Sequence, residues 1–307
     1  MDLAVIVVSW NVRQLLGGCL TSVKQSLADS AHAGTPIDAG IWVIDNASTD
    51  GSSEMVRTRF PGVSLVANAD NRGFAAANNQ GLTLALEHHP RHLLLLNPDT
   101  VVRGRALETL VHFLDTTETA GMAGARLVFG DGSFQHSAFA FPGLAQLIID
   151  LFPVPARLHD TRLNGRYPRS RYAATAPPFP VDHPLGAAMM VRQAAVQEVG
   201  LMDTGFFMYC EEIDWAMRIH QAGWQIFCVP AAEIVHYGGQ STGQIQAESL
   251  VNLWRSRHRL YHNHFSPLKT RLASWLVRLA MWVRRREPVS DAIRNAYREI
   301  AAVWSGA

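Results

Sequence analysis

Apolar runs recur along the first half of the chain, each closing in a polar turn and leading into a stretch with helical spacing. Residues 3–8, 41–44, 63–67 and 92–96 predict strands, and 124–129 a further extended segment. Between them, 12–27 carries Leu15, Leu16, Leu20, Val23 and Leu27 at helical intervals, and 52–59, 75–87 and 107–114 read as shorter helices. The run from Leu93 to Leu96 does not alternate, as expected of a strand buried on both faces. Strands alternating with helices predict an α/β domain around a mainly parallel, twisted sheet. In such sheets ligands gather beyond the carboxyl ends of the strands. The turns at those ends are Ser9-Trp10-Asn11, Asp45 through Gly51, and Asn97-Pro98-Asp99-Thr100, so all three should open on one crevice.

The rhythm breaks between residues 130 and 184, where prolines and arginines crowd together and periodicity fades. A long irregular stretch within a domain is usually functional or mobile. Order returns with an extended segment over 186–191 and helices over 194–199 and 214–222. After residue 249 the chain turns aromatic and basic. Leu268, Leu272, Trp275, Leu276, Leu279, Trp282 and Val283 fall on one helical face, with Lys269, Arg271, Arg278 and residues 284–286 along its edges. Such a face over 268–286 suits the surface of an anionic bilayer, and equally well packing on the rest of the chain or on a partner subunit. Arg271 and Arg278 argue against a membrane span.

Composition narrows the class. With 48% hydrophobic residues, 307 residues can bury a large core, which suits one big domain or one domain with an appendage. Lys and Arg number 27 against 26 Asp and Glu, so no global field favours nucleic acid as a partner. Cys19, Cys210 and Cys228 are odd in number and form no CxxC pair, which fits a reducing, cytoplasmic setting. The first apolar run is too short for a signal peptide or a membrane span.

Candidate chemistry sits in few places. Asn97 and Asp99 come directly off a buried strand end, where a carboxylate with a neighbouring oxygen suits a hard divalent cation. A single Asp there would otherwise read as a turn cap. Glu211, Glu212 and Asp214 crowd a predicted helix start beside Phe206-Phe207-Met208-Tyr209. Asp214 with Arg218 reads as an i, i+4 pair in an acidic first turn. The surplus of acid beside apolar residues points to a general base. His236 precedes glycines in a loop, and alone a histidine there is more often structural than a ligand.

Taken in order, VVSWN, VIDNASTDGS, NRGFAAANN, LLLLNPDT, GAAMMVRQ, GFFMYCEEIDWAMR and VHYGGQST resemble the motifs of inverting family 2 glycosyltransferases of the GT-A fold, above all the bacterial rhamnosyltransferase branch. The resemblance spans roughly residues 3–261. It implies a GT-A catalytic domain over 1–246, with a donor half to about 129 and an acceptor half from about 130, then a helical extension over 247–307. It further implies a nucleotide-diphosphate sugar donor, a Mg or Mn cofactor and a saccharide or lipid-linked glycan acceptor, with work at the cytoplasmic side of the cell membrane. Asp99 falls on the position of the main metal ligand, Asn97 beside it and His236 on the late metal-binding histidine. Glu212 falls on the catalytic-base position, where the family often has Asp, so Glu211 stays in contention. Asp45 matches the residue that accepts N3–H of a pyrimidine, while Ser9, Asn11, Asn46, Arg72 and Gly73 fall along the donor loops. Asp50 reads as the cap of the next helix. The branch implies L-rhamnose from its thymidine diphosphate. Another hexosyl or galactofuranosyl transfer from a uridine diphosphate sugar, a sugar nucleotidyltransferase and a non-catalytic subunit are the competing readings.

Overall fold

A computed structural model describes residues 1–238 and 246–306. Through the first third of the chain, strands and helices alternate as the apolar pattern predicts: β1 (Leu3–Ser9), α1 (Arg13–His32), β2 (Ala39–Asp45), α2 (Ser52–Arg59), β3 (Ser64–Ala67), α3 (Phe74–Leu86) and β4 (His92–Leu96). Then follow β5 (Thr100–Val102), α4 (Ala106–Thr116) and β6 (Ala120–Val128). The irregular segment contains β7 (Phe134–Gln135), β8 (Ala138–Phe139), α5 (Leu144–Leu151), three short 3-10 turns, β9 (Phe179–Pro180) and β10 (His183–Pro184). The sheet resumes with β11 (Ala188–Arg192), α6 (Gln193–Val199), α7 (Glu211–Gln221) and β12 (Gln225–His236). Helices α8 (Gln246–His264), α9 (Pro267–Arg284) and α10 (Asp291–Val303) close the chain.

The main sheet runs β3-β2-β1-β4-β11-β6-β12-β5, with β7 and β9 added at its margins. Its first four strands are parallel, but β11 enters antiparallel between β4 and β6, and β5 is antiparallel to β12. The sheet is therefore mixed, and the parallel order holds through the first four strands. Alternation along β1 and β4 divides the core. Leu3, Val5, Val7, Leu94 and Leu96 face one layer with α1, α2 and α4, while Ala4, Ile6, Leu93 and Leu95 face the other with α3, α6 and α7. Each fully buried Leu or Ile contributes about 1.5–3 kcal/mol, so the two-sided strands anchor the sandwich. Helix α7 starts three residues earlier than its apolar spacing predicts, which brings Glu211 and Glu212 into its first turn. Acidic side chains are favoured there by the helix dipole.

The segment 130–184 is packed rather than loose. Phe134, Tyr167, Tyr172 and Phe179 meet edge-to-face or tilted, and the Tyr172 hydroxyl donates to Ala138 O at 3.0 Å. The terminal helices form a bundle around Trp254, Tyr261, Val277, Ile300 and Trp304. One face of α9 packs inward through Ala273, Ser274, Val277, Ala280 and Met281. Leu276 turns partly inward as well, whereas Leu268, Leu272, Trp275, Trp282 and Val283 stay exposed. Among the described residues, no helix is long and apolar enough to cross a membrane.

Candidate active site

Parallel registry brings the carboxyl ends of the first strands to one edge. Ser9 pairs with Asp45, Asp45 with Ala67, and Asn97 follows directly after β4. The antiparallel strands supply the far wall. Asn97 donates its backbone N–H to Ala187 O at 2.9 Å, and Tyr237 N–H donates to Asp99 O at 3.0 Å beyond the His236–Thr100 pair. Two residues 137 positions apart, Asp99 and His236, thereby come within 3.5 Å, measured from His236 Nε2 to Asp99 Oδ1.

An open cavity of about 1030 Å³ lies above this edge. Of the residues singled out in the sequence, Asn46, Gly73, Asn97, Asp99, Glu211, Glu212 and His236 line it. Ser9, Asn11, Asp45 and Arg72 lie outside its wall. Asn11 braces the loops, its Oδ1 accepting from Thr49 N–H at 2.8 Å and its own N–H reaching Ser48 Oγ. Arg72 is exposed and pairs loosely with Asp70 at 3.7 Å. Asp50 accepts from the amide of Ser52 at the start of α2, in keeping with its expected capping role, and also from the amide of Arg13 at the start of α1. The part of the His236 motif at 239–242 lies outside the described residues. The sequence reading gave no role to Trp10, Met208, Tyr209 or Leu185, which also line the cavity. Apolar residues in loops carry no periodic signal, so only their placement reveals them.

Three polar atoms at this edge are buried without a partner: Ser9 Oγ, Asp45 Oδ1 and Asn97 Oδ1. The other oxygen of Asp45 accepts from Ser53 Oγ at 2.5 Å. Unmatched buried polar groups each cost about 1–3 kcal/mol, and these three fall on neighbouring strand ends, Asn97 also lining the cavity. Asn46 ties the loops together, its amide donating to Asn71 Oδ1 and Gly73 O, each at 3.1 Å. Gly73 has φ +80°, and a Cβ there would fall 2.3 Å from Phe207 O. Only glycine allows this contact, through which Phe74 N–H reaches Phe207 O at 2.7 Å and links the two halves of the crevice.

The donor set around Asp99 suits a hard divalent cation. His236 Nδ1 lies 3.2 Å from Gln135 Oε1, an oxygen that accepts hydrogen bonds. With Nδ1–H donating to that oxygen, Nε2 is the nitrogen that turns its lone pair to the Asp99 carboxylate. Burial pushes the imidazole toward its neutral form, against the pull of Asp99. Two lone pairs facing each other repel unless a cation lies between them, and the orphaned Asn97 Oδ1 offers a further oxygen. Among the described residues, no group of three or more His, Cys, Asp or Glu gathers to hold a metal. Oxygens from a diphosphate and water would have to complete the shell.

The acidic pair lines the same cavity. Tyr209 and Cys210 both adopt left-handed conformations, φ 70° and 66°, immediately before α7. Strain of this kind costs about 1–3 kcal/mol per residue and persists where the surroundings enforce it. The turn leaves Glu211 buried, with Oε2 unpartnered, and sets Glu212 against Gly186. Burial raises Glu212 to about 7, and burial with the adjacent Glu212 charge raises Glu211 well above the ordinary range. Asp214 is spent structurally: Arg218 Nε donates to it at 2.9 Å, and His264 of α8 meets its other oxygen at 2.7 Å.

A mixed sheet with an acid-lined crevice beyond its parallel strands, closed by antiparallel strands and followed by helices, defines a glycosyltransferase of the GT-A fold. The profile described as Glycosyl transferase family 2 matches residues 4–195, and the chain belongs to that family. It is similar to N-acetylglucosaminyl-diphospho-decaprenol L-rhamnosyltransferase of Mycobacterium tuberculosis, 25% identical over 282 residues, covering 88% of this chain and 89% of the relative. It is also similar to rhamnosyltransferase WbbL of Escherichia coli, 28% identical over 172 residues, covering 54% and 61% of the two chains. Among solved structures, the mannosyltransferase PcManGT of Pyrobaculum calidifontis, in complex with GDP-Man and Mn2+, superposes with a TM-score of 0.56 at 15% identity. That likeness covers 99% of this chain and 84% of the other.

Proposed function

We propose that the protein transfers L-rhamnose from its thymidine diphosphate to a saccharide or lipid-linked glycan of the cell envelope, inverting the anomeric carbon. The observation that carries the reading is the row of unsatisfied oxygens on three parallel strand ends, beside a cavity that Glu212 also lines. Asp45 Oδ1 accepts the N3–H of the pyrimidine, with Ser53 holding the carboxylate in place. Asp99 and His236, with Asn97 beside them, hold a Mg or Mn ion. When bound, such an ion supplies positive charge to the departing diphosphate.

Glu212 takes the proton of the acceptor hydroxyl while that oxygen attacks the anomeric carbon. The new C–O bond forms as the bond to the diphosphate oxygen breaks on the opposite face, and the diphosphate leaves with the electron pair. Its raised pKa of about 7 matches a base working near neutrality. Glu211 supports the same wall. Rhamnose as the sugar is supported by the two rhamnosyltransferase relatives.

Attachment to an anionic membrane face is part of the same reading. Leu268, Leu272, Trp275, Leu279 and Trp282 step by four and three residues along α9, and Leu268 and Trp275 are 68% and 61% exposed. Arg271, Arg278 and Arg285 run beside them, and α9 contains no acid. Purified protein with Mn2+ should slowly hydrolyse thymidine diphosphate rhamnose, and should prefer it in a panel of uridine, thymidine and guanosine diphosphate sugars. Turnover of nucleoside triphosphates with sugar phosphates instead would sink the reading. Flotation with phosphatidylglycerol vesicles should carry the protein, and Trp275→Glu should abolish flotation.

A further inference from the structure

The turn that carries the acidic pair is not held by its own side chains. Tyr209 and Cys210 both take left-handed backbone conformations, which residues with a Cβ disfavour. Cys210 also occupies the cap position of α7, and its side chain makes no capping hydrogen bond there. A serine or aspartate at that position would satisfy a free amide of the first turn, whereas a thiol is a weak acceptor. A strained turn without a local cap persists only where surrounding elements enforce it.

The enforcing contacts come from α3 on one flank and α8 on the other. Both carbonyls that precede Tyr209 are taken. Phe74 N–H of α3 donates to Phe207 O at 2.7 Å, and Ser256 Oγ of α8 donates to Met208 O, also at 2.7 Å. Ser256 is buried, and a hydrogen bond shielded from water holds its geometry more firmly. Along the same helix, Arg259 binds Asp203 through two nitrogens at 2.8 and 3.0 Å, and Leu260 joins Phe206 and Cys210 in a small apolar cluster. His264 then meets Asp214 at 2.7 Å. Positions 256, 259, 260 and 264 follow helical spacing, so one face of α8 holds the chain from Asp203 to Asp214. The core of the terminal bundle uses other positions of α8, namely Val251, Trp254 and Tyr261. Met208, Tyr209, Glu211 and Glu212, all within the held stretch, line the cavity beyond the strand ends.

We propose that Ser256 is a positioning residue for glycosyl transfer, and that through it α8 fixes the left-handed turn that presents Glu212 to the cavity. The proposal rests on the reading of Glu212 as the base. It makes the helical region after residue 246 a working part of the active site. Without the Ser256 hydroxyl the Met208 carbonyl loses its partner, the turn relaxes, and the Glu212 carboxylate moves off the path of the attacking oxygen. Asp45, Asn97 and Asp99 sit at the ends of the parallel strands and are held without α8. The loss therefore falls on turnover and spares donor binding.

The test follows release of thymidine diphosphate from thymidine diphosphate rhamnose by the full chain with Mn2+, water being the acceptor, together with donor KM and Tm. Ser256→Ala should lower kcat about 10- to 100-fold, the scale of a small misplacement of a reacting group, and leave KM within about twofold. Ser256→Thr, which restores the hydroxyl, should recover most of the turnover. Thr270→Val removes a buried hydroxyl that donates to Tyr261 O at 3.1 Å in the same bundle; it should lower Tm and leave kcat unchanged. Should Ser256→Ala not fold, Ser256→Cys keeps the size of the side chain but donates weakly, and carries the same expectation. Wild-type kcat in Ser256→Ala, a loss seen in KM rather than kcat, no recovery in Ser256→Thr, or an equal loss in Thr270→Val overturns the proposal. Glu212→Gln measured alongside separates the two readings. An inactive Glu212→Gln beside a fully active Ser256→Ala removes the positioning role and leaves the base intact. An active Glu212→Gln overturns the base, and the positioning role with it.

Discussion

Replacing Glu212 by Gln keeps the size of the side chain and its place in the first turn of α7 but removes the ability to accept a proton. General-base catalysis typically contributes about 10²- to 10⁴-fold, so kcat should fall by that order while donor affinity survives. The structure sets a second, sharper magnitude. With a pKa of about 7, the ionised fraction of Glu212 is about one half at pH 7 and about one hundredth at pH 5, so wild-type kcat should drop about 50-fold between them. A glutamate at its ordinary value of 4.5 would lose only about 1.3-fold over the same range. Stability should move the opposite way. A carboxyl whose pKa is raised on folding stabilises the fold below its unfolded value, and that contribution is lost as pH rises through about 7. The Tm of Glu212→Gln relative to wild type should therefore rise between pH 5 and pH 8. Glu211 keeps part of the effect in the variant, because burial raises it too. Release of nucleoside diphosphate at saturating donor, followed across pH 5 to 8, measures kcat. A flat wild-type profile from pH 5 to 7, or near-normal turnover in Glu212→Gln, refutes the assignment. A dead Glu211→Gln with an active Glu212→Gln moves the base one residue back.

Three further outcomes are expected. Chelation should abolish transfer, Mn2+ or Mg2+ should restore it, and Asp99→Ala should weaken donor binding as well as turnover; full activity in chelator would remove Asp99 and His236 as ligands. Asp45→Ala should raise the donor KM by a hydrogen bond's worth, about 1–3 kcal/mol, and loosen the preference for pyrimidine over purine diphosphates, both read by competition binding. Gly73→Ala forces a Cβ to within 2.3 Å of Phe207 O at φ +80°, so thermal unfolding should come several degrees lower and donor KM should rise. An unchanged Tm would mean that the link between the two halves of the crevice yields without cost.

The parallel half of the fold was legible in the sequence because its signals are local. Buried strands such as His92–Leu96 are continuous apolar runs, helices such as Ser52–Arg59 show their spacing and their stops, and polar residues gather where each strand ends. Glu211 and Glu212 could be singled out because three acids in four residues exceed what a helix start requires, whereas Asn97, Asp99 and His236 gained their weight from the order of the motifs. Short elements escaped: α5 lies in a proline-rich stretch, and its eight residues gain their stability from Leu147 and Leu151 packing on the terminal bundle. Antiparallel insertion of β11 was also invisible, since buried parallel and antiparallel strands share one apolar signature.

The chain by itself determined the layered α/β core, the polar loops at the strand ends and the stock of acids and histidine available for chemistry. Tertiary structure decided which of them meet. It brought His236 beside Asp99 through the β12–β5 pairing and set Glu212 on the cavity wall through the left-handed turn at Tyr209 and Cys210. The physical reason is range: periodicity and capping act within a few residues, whereas these contacts join positions far apart in the chain and exist only after the sheet has closed.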